Sequence, residues 1–222
     1  MNINSDITQR IVIEPLALEW STTAVTGLQQ ALLEQDGAAR TTRLLRCEPA
    51  TKLSPQYTGE EIFVLDGAIS DGSTIYQKGS YLKNLPASSH GLNSATGCTL
   101  LVKSGHLDLD DTQSAIIDTI HAGWFAGLVD GLTVLPLAEF ATQHTALVHW
   151  APGTQFNAHR HFGGEEIYVL DGVFEDEQGA YPSGTWMRSP HLSAHRPYSR
   201  QGCTILVKTG HLIPTAATHD TR

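Results

Sequence analysis

Apolar positions along this chain come in short runs. The runs are rich in Val, Ile, Leu, Tyr and Thr, and turn signals separate them roughly every 8–12 residues. The signals are Asp66-Gly67, Asp71-Gly72, Asp171-Gly172, Pro182-Ser183-Gly184 and Gly202. This spacing predicts an all-β chain of antiparallel strands, folded as barrels or jelly rolls. The segment "DTQSAIIDTI" (111–120) is the one that could form a short helix instead.

The same pattern occurs twice. "EEIFVLDG" (60–67) matches "EEIYVLDG" (165–172), and "GCTLLVKSGHL" (97–107) matches "GCTILVKTGHL" (202–212). Over 60–107, 22 of the 48 residues are identical to those 105 positions later. Such self-similarity far exceeds chance and indicates an internal duplication.

The duplication predicts the domain organisation. A unit of about 90 residues suits one small barrel, so we expect two tandem barrels. The first repeat is assigned to residues 1–110, a linker to 111–123 and the second repeat to 124–222. Upstream of the shared Glu-Glu pair, the first copy is two residues shorter than the second.

Composition and charge narrow the classes of protein that fit. The chain has 222 residues, of which 41% are hydrophobic, and a formal net charge of −9. A nucleic-acid-binding protein needs a basic surface, so that class is not expected. No apolar run reaches the roughly 18–20 residues of a membrane span, and no apolar stretch follows a basic start as in a signal peptide.

Cysteine usage points to the cytoplasm. Cys47, Cys98 and Cys203 are odd in number and form no C-x-x-C pair, which favours a reducing compartment over a disulfide framework. Cys98 and Cys203 lie in apolar runs, and we interpret them as small buried hydrophobic residues.

One cluster of chemically active residues occurs in the second copy. Residues 153–172 follow the pattern G-x5-H-x-H-x3-E-x6-G, which contains His159, His161 and Glu165. Side chains alternate along a strand, so the two histidines share a face, and Glu165 lies beyond a Gly-Gly turn where it could face them. His195 follows on a later hairpin. Three imidazoles and a carboxylate inside a barrel would form a transition-metal site with room for water or substrate.

Other roles remain open for the surrounding residues. A barrel histidine can also be a hydrogen-bonded core residue. His191, beside Pro190, is expected to be exposed and not a ligand, and Glu166, on the other face from Glu165, is expected to be structural. The strand period places Ile167 and Val169 on the face of Glu165, so the pocket around the metal is expected to be largely apolar. Phe156, Trp186 and Arg188 are expected to line its mouth, with packing as an equal alternative for Trp186.

The full string resembles a cupin. The G-x5-H-x-H-x3-E-x6-G pattern is followed by P-x-G-x-W (182–186) and a later histidine. More narrowly, the second repeat resembles the cupin domain of ChrR-type anti-sigma factors, and the first repeat is a degenerate copy. The resemblance implies a bicupin, two double-stranded β-helix (jelly-roll) barrels. It also implies metal ligands at His159, His161, Glu165 and His195 holding one divalent transition metal ion, with zinc favoured over Fe, Mn, Ni or Cu.

The first copy has lost part of this set. It keeps Glu60 and His90 as counterparts of Glu165 and His195, but Ser54 and Gln56 stand where the second copy has its paired histidines. Tyr57 is the one nearby side chain that could add a ligand. We expect this degenerate site to hold no metal.

The function implied by the resemblance transfers only in part. ChrR-type factors bind a sigma factor through an N-terminal zinc-binding domain. The zinc site of that domain needs a histidine and a C-x-x-C pair. This chain has no histidine before His90 and no C-x-x-C pair, so direct sigma-factor binding is doubtful. We expect a sensor or regulator that binds a small-molecule ligand, with a metal-dependent dioxygenase for dicarbonyl or phenolic substrates as the alternative. A metal-free structural bicupin is the third option, and pairing of exposed sheet edges would give a homodimer.

Overall fold

A computed structural model describes residues 2–37, 40–53, 59–84 and 91–213. The described chain is almost entirely β, as the sequence predicts, with one short 3-10 helix at Pro15–Ala17. It divides into two compact units: Met1–Ser5 with Pro15–Phe125, and Asp6–Glu14 with Ala126–Arg222.

Ten strands make up the sheets of the first unit in the described residues. They are β2 (Trp20–Thr22), β3 (Leu28–Asp36), β4 (Arg40–Cys47), β5 (Thr51–Leu53), β6 (Glu60–Ser70), β7 (Ile75–Gln77), β8 (Ser80–Lys83), β9 (Leu92–Ser94), β10 (Cys98–Ser104) and β11 (Ala115–Asp118).

The second unit has a matching ten-stranded set and, in the described residues, a further two-stranded ladder. Its strands are β1 (Ile11–Ile13), β12 (Phe125–Ala126), β13 (Leu132–Phe140), β14 (Gln143–Trp150), β15 (Thr154–Gln155), β16 (His159–Arg160), β17 (Glu165–Asp176), β18 (Gly179–Pro182), β19 (Trp186–Ser189), β20 (Ala194–His195), β21 (Tyr198–Ser199) and β22 (Cys203–Thr209).

The two units share one antiparallel topology. The main layer runs β11-β8-β6-β10-β4-β3-β2 in the first unit and β1-β19-β17-β22-β14-β13-β12 in the second. The long strands β6 and β17 continue past this layer and pair with the short strands of a second layer. Each unit is thus a jelly roll whose apolar side chains from both layers form one core.

The first strand of each repeat completes the other repeat's sheet. β1, from the start of the chain, pairs with β19 in the second unit, and β11, from the predicted linker, pairs with β8 in the first unit. The helix considered for 111–120 is therefore wrong, because Ala115–Asp118 is an edge strand. The predicted boundaries also differ from the observed units, since Asp6–Glu14, at the start of the first repeat, belongs to the second unit.

A bulge bends each long strand. In β17 the register with β22 shifts between Val169 and Asp171, which leaves Leu170 as the extra residue. Gly172 follows with φ of 71°, and a Cβ there would lie 2.1 Å from the Gly202 carbonyl oxygen. The Asp171-Gly172 pair, predicted as a turn, is therefore the bend of a continuous strand, and only glycine fits.

None of the helices in the described ranges is long and apolar enough to cross a bilayer.

Candidate metal centre

A small two-stranded ladder carries two of the predicted ligands. β16 pairs with β20 so that His159 lies directly opposite His195. His161 follows one residue after β16, and its backbone N–H donates to the Ser193 carbonyl at 2.9 Å. The ladder therefore aligns three imidazoles, and their ring centroids are 4.6–4.9 Å apart.

A tight turn returns the chain to this ladder and delivers the fourth residue. Gly163 has φ of 76°, and a Cβ on it would lie 2.6 Å from the Gly210 Cα, so the turn requires glycine. The turn leads directly into β17, whose first residue is Glu165. The Glu165 Oε2 lies 3.5 Å from the His161 Nε2 and 3.6 Å from the His195 Nε2.

The geometry of the four donors fits a metal ion. One donor atom from each of His159, His161, Glu165 and His195 lies within 4.8 Å of the others. Two donors bound at about 2.1 Å to one ion are separated by roughly 3.0–3.4 Å, close to the 3.5 and 3.6 Å between Glu165 and two of the histidine nitrogens. The Nε2 atoms of His161 and His195 are buried and make no hydrogen bond within the described residues. A buried polar atom without a partner is costly, and a metal ion would satisfy both nitrogens.

A backbone carbonyl and a carboxylate contact the Nδ1 atoms of two of the histidines. The His159 Nδ1 donates to the Asn157 carbonyl at 2.9 Å, because a carbonyl only accepts. Its Nε2 is then unprotonated. The His195 Nδ1 lies 3.6 Å from the Asp176 Oδ2. Both contacts leave Nε2 as the inward atom, the arrangement typical of metal-bound histidines.

Asp176 is itself held by a buried network. Tyr181 donates its hydroxyl proton to Asp176 at 2.8 Å, and backbone N–H groups of Gln178 and Gly179 donate to the same carboxylate oxygen. Arg10 lies 3.3 Å from the other oxygen and donates to the Tyr181 hydroxyl at 2.7 Å. The network therefore orients His195 from behind.

Burial and neighbouring charge shift the pKa values of the cluster. Burial, followed by the charges of His195 and His159, lowers the pKa of His161 to about 3, and burial also lowers that of His159. Burial raises the pKa of Glu165 to about 7. At His195 burial acts to lower the pKa, but the neighbouring carboxylates of Asp176 and Glu165 outweigh it and raise the pKa. Two of the imidazoles are thus held in the neutral form that binds metals.

An apolar cavity of about 120 Å³ adjoins the cluster. His159, Glu165 and His195 form part of its wall, and the rest is mainly hydrophobic. Trp150 lines the cavity, and its buried indole Nε1 has no hydrogen-bond partner in the described part of the chain. A metal ion held by the four donors would therefore border space for a small molecule, with one indole N–H nearby.

Three of the other residues predicted around the metal are placed as follows. Phe156 lines the cavity, with its ring 5.1 Å from that of His159. Ile167 and Val169 share the face of Glu165, as predicted, but are buried in the core of the barrel and the cavity wall is formed by other side chains.

The prediction that Trp186 and Arg188 line the pocket mouth is wrong. The strand register pairs Arg188 with Glu166. Arg188, and Trp186 two residues before it on the same strand face, therefore point away from the face that carries Glu165. Trp186 donates from Nε1 to Glu166 at 2.9 Å, which supports the packing alternative and the structural role predicted for Glu166. Arg188 donates to the Asp6 carbonyl at 2.7 Å.

His191 lies apart from the cluster. Its Nδ1 accepts a hydrogen bond from the Gly163 N–H at 2.9 Å, and its ring packs 5.0 Å from that of Phe162. It is half-buried, where the sequence suggested an exposed side chain. Its contacts support the Gly-Gly turn.

The first unit keeps Glu60 in the barrel interior. Ser104 donates to Glu60 at 2.5 Å, and burial raises the pKa of this carboxyl. His90, Ser54, Gln56 and Tyr57 lie outside the described residues.

Sequence reasoning did not find Arg10, Asp176, Tyr181 or Trp150. A partial signal exists in the sequence, because the first copy contains Asp71 and Tyr76 at the same spacing as Asp176 and Tyr181 in the second. There the Tyr76 hydroxyl also donates to the aspartate, at 2.7 Å. The pair is thus part of the duplicated framework, and in the second copy it supports a histidine.

Several solved structures share this fold. A candidate glyoxylate-induced protein from Pseudomonas aeruginosa is 14% identical, with 99% of this chain and 95% of that chain covered at a TM-score of 0.76. A candidate dioxygenase from Nostoc punctiforme is 17% identical, with 95% and 86% covered and a TM-score of 0.77. The oxalate decarboxylase of Bacillus subtilis, a protein with Mn(II) centres, is 12% identical, with 96% and 79% covered and a TM-score of 0.61. At these identities the likeness shows the fold alone.

Family membership follows from the sequence itself. Among curated proteins, none matches this chain significantly. The family model of the ChrR cupin-like domain, however, matches it twice, over residues 8–108 and 112–213. Together these matches cover most of the chain and coincide with the two repeats. The chain therefore belongs to the ChrR cupin-like domain family and carries two copies of that domain in tandem.

Proposed function

We propose that the second barrel binds one divalent transition metal ion and uses it to bind a small organic molecule in the adjoining cavity. His159, His161, Glu165 and His195 would hold the ion. The observation that carries the proposal is the pair of buried, unpartnered Nε2 atoms beside a carboxylate, at the wall of an apolar cavity. A purely structural barrel would leave these polar atoms unsatisfied in its core.

The donor set restricts the metal only to a class. Imidazole nitrogen and carboxylate oxygen suit zinc, iron, manganese, nickel and copper. Zinc is our first choice, and the Mn(II) centres of a protein with the same fold make manganese the first alternative. The ion would act as a Lewis acid that holds an oxygen atom of the ligand.

The ligand would be small, mostly apolar and oxygen-bearing. The cavity of about 120 Å³ has a hydrophobic wall, and polar recognition would come from the metal and the Trp150 indole N–H. An indole N–H only donates, so it suits a carbonyl or ether oxygen. A ligand with two oxygens could bind the metal through one and accept from Trp150 with the other.

The proposed biological role is that of a ligand-binding sensor or regulator in the cytoplasm. Membership of the ChrR cupin-like domain family favours this role, and the free cysteines suit a reducing compartment. A homodimer remains part of the proposal, and direct sigma-factor binding does not.

A metal-dependent dioxygenase is the second candidate. It is favoured by the cavity that borders three of the four donors, because a catalytic metal keeps a position open to substrate. Dicarbonyl or phenolic compounds would be the substrate class. In this role the chain would orient the substrate against the apolar wall and keep bulk water from it.

Elemental analysis of tag-free protein purified without chelators tests the proposal. We expect about one transition metal ion per chain, and its loss in His161→Ala. Ligand binding is then measured on the metal-loaded protein with acetylacetone and catechol, alongside oxygen uptake. Binding without oxygen uptake supports the sensor, and sustained oxygen uptake supports the dioxygenase. A wild-type protein that cannot be loaded with any of the five metals contradicts both.

A further inference from the structure

The first barrel contains a cavity larger than the one beside the candidate metal centre. Its volume is about 330 Å³, compared with about 120 Å³ in the second barrel. Most of its wall is apolar, formed by residues such as Leu45, Leu92, Leu100 and Val102. Ala24, which also lines it, is exposed, so the cavity reaches the surface there. A cavity of this size accommodates a one- or two-ring molecule, since benzene fills an apolar cavity of about 150 Å³.

A compact polar group is built into this apolar wall. Arg43, Gln30 and Glu60 all line the cavity. The Arg43 guanidinium donates to the Gln30 side-chain oxygen at 3.5 Å, and Glu60 accepts from Ser104. Arg43 and Glu60 also stabilise each other's charge. Among the described residues that line the cavity, Thr23 and these three, which form a polar patch, are polar and the others are apolar, a composition typical of small-molecule sites.

The polar patch is specific to the first barrel. By strand register, Gln30 and Arg43 correspond to Val134 and Ala146 of the second barrel. Both counterparts are apolar or small, so the second barrel has no guanidinium at this place. The duplicated framework therefore carries two different interiors, one with a cluster of histidines and one with an arginine–glutamate pair.

We propose that the first barrel is a second, metal-independent binding site for an uncharged cyclic molecule that carries adjacent carbonyl and hydroxyl groups. A guanidinium can only donate hydrogen bonds, so Arg43 recognises the carbonyl oxygen. An ionised carboxylate can only accept, so Glu60 recognises the hydroxyl. The ring occupies the space between the leucine and valine side chains.

Charge balance selects a neutral ligand over an acid or an amine. Arg43 and Glu60 carry opposite charges that compensate each other inside the barrel. An ionised ligand would add an uncompensated charge to an apolar cavity, which is costly. A neutral hydroxyketone satisfies both groups without that penalty.

Isothermal titration calorimetry with the full chain tests this proposal. The probe is 2-hydroxyacetophenone, an α-hydroxyketone; acetophenone lacks its hydroxyl group, and benzoate carries a charge. We expect the hydroxyketone to bind more tightly than either comparison compound. Arg43→Ala should weaken its binding roughly ten- to a hundredfold, as expected for a lost hydrogen bond to a charged group.

Two further variants separate this site from the metal centre. Val25→Trp fills the cavity near its edge, leaves the polar patch intact and should abolish binding. His161→Ala disables the candidate metal centre and should leave the affinity unchanged. The proposal is overturned if the hydroxyketone does not bind or benzoate binds more tightly. It is equally overturned if both Arg43→Ala and Val25→Trp bind normally, or if His161→Ala alone removes binding.

Discussion

His159 and His195 lie directly opposite each other across an antiparallel ladder, and each is oriented from behind by a different group. A backbone carbonyl, that of Asn157, fixes His159, whereas the carboxylate of Asp176 holds His195. The carbonyl is neutral and the carboxylate is charged, so the two imidazoles differ in basicity although they face the same point. The His195 nitrogen is the stronger donor of the two.

The imidazole of His161 should contribute more to metal binding than that of His191. His161→Ala removes one of four donors and should lower metal affinity by at least about 100-fold. His191→Ala removes a support of the Gly-Gly turn and should cost less than about tenfold. Competition with a fluorescent chelator measures both affinities. Equal losses in the two variants would contradict the ligand assignment.

The carboxylate behind His195 should tune the metal site. Asp176→Asn removes the charge that orients His195 and should weaken metal binding roughly 10–100-fold. Asp71→Asn is the matched control, because it alters the same aspartate–tyrosine pair in the first barrel, where Tyr76 is the partner. It should cost folding stability but leave metal affinity unchanged. A similar loss of affinity in both variants would indicate a general effect on the fold.

The metal-free protein should lose stability as pH rises towards neutrality. The folded-state pKa of Glu165 is about 7, above its ordinary value of 4.5. The favourable contribution of this carboxyl is therefore complete below about pH 4.5 and lost as pH rises through 7. Glu165→Gln stays neutral, so at pH 8 it should be more stable than wild type by about 1–3 kcal/mol. Urea unfolding of the metal-free proteins between pH 5 and 8 measures this, and equal slopes with pH would refute it.

The bend in β17 should depend on glycine. In Gly172→Ala the new Cβ would meet a backbone oxygen at 2.1 Å in a left-handed conformation, so the backbone must move. We expect a loss of about 3 kcal/mol or more. Gly153→Ala has a similar φ of 83° but no atom within 4 Å of the new Cβ, and should cost only about 1 kcal/mol. Thermal unfolding compares the two, and equal costs would mean that backbone conformation alone matters.

The indole of Trp150 should contribute to ligand binding and not to metal binding. Trp150→Phe keeps an aromatic ring in the cavity wall but removes the buried N–H. Metal content should stay at the wild-type level, while affinity for acetylacetone should fall roughly tenfold, the effect of one hydrogen bond. Loss of metal in this variant would assign the indole to the barrel core instead.

Residues that are close in sequence were the ones that could be predicted. His159, His161 and Glu165 lie within seven residues, and strand alternation with a Gly-Gly turn brings them together. The all-β fold and its duplication follow from equally local patterns. His195, which is distant in sequence, could only be placed on a later hairpin able to face them, and the family resemblance then identified it as a ligand.

The errors and omissions in the predicted site come from pairing between strands that are distant in sequence. β19 is buried at all four positions, so its sequence shows no alternation, and only pairing with β17 puts Trp186 and Arg188 on the outer face. The bulge at Leu170 reverses the alternation of β17, and Asp176 therefore faces the same interior as Glu165. Arg10 reaches Asp176 because the first strand of the chain belongs to the second unit. None of these features has a local signature.

The exchanged strands have a consequence for how such a chain could have arisen. A single ancestral repeat with its first strand in the same position would have to borrow that strand from a second copy, as a homodimer. Gene fusion would make the partner part of the same polypeptide and raise its effective concentration to a fixed, high value. The sequences of the two copies could then diverge while the copies stayed associated in one polypeptide. In the present chain, Arg10 behind the candidate metal centre comes from the repeat that has lost its own pair of histidines.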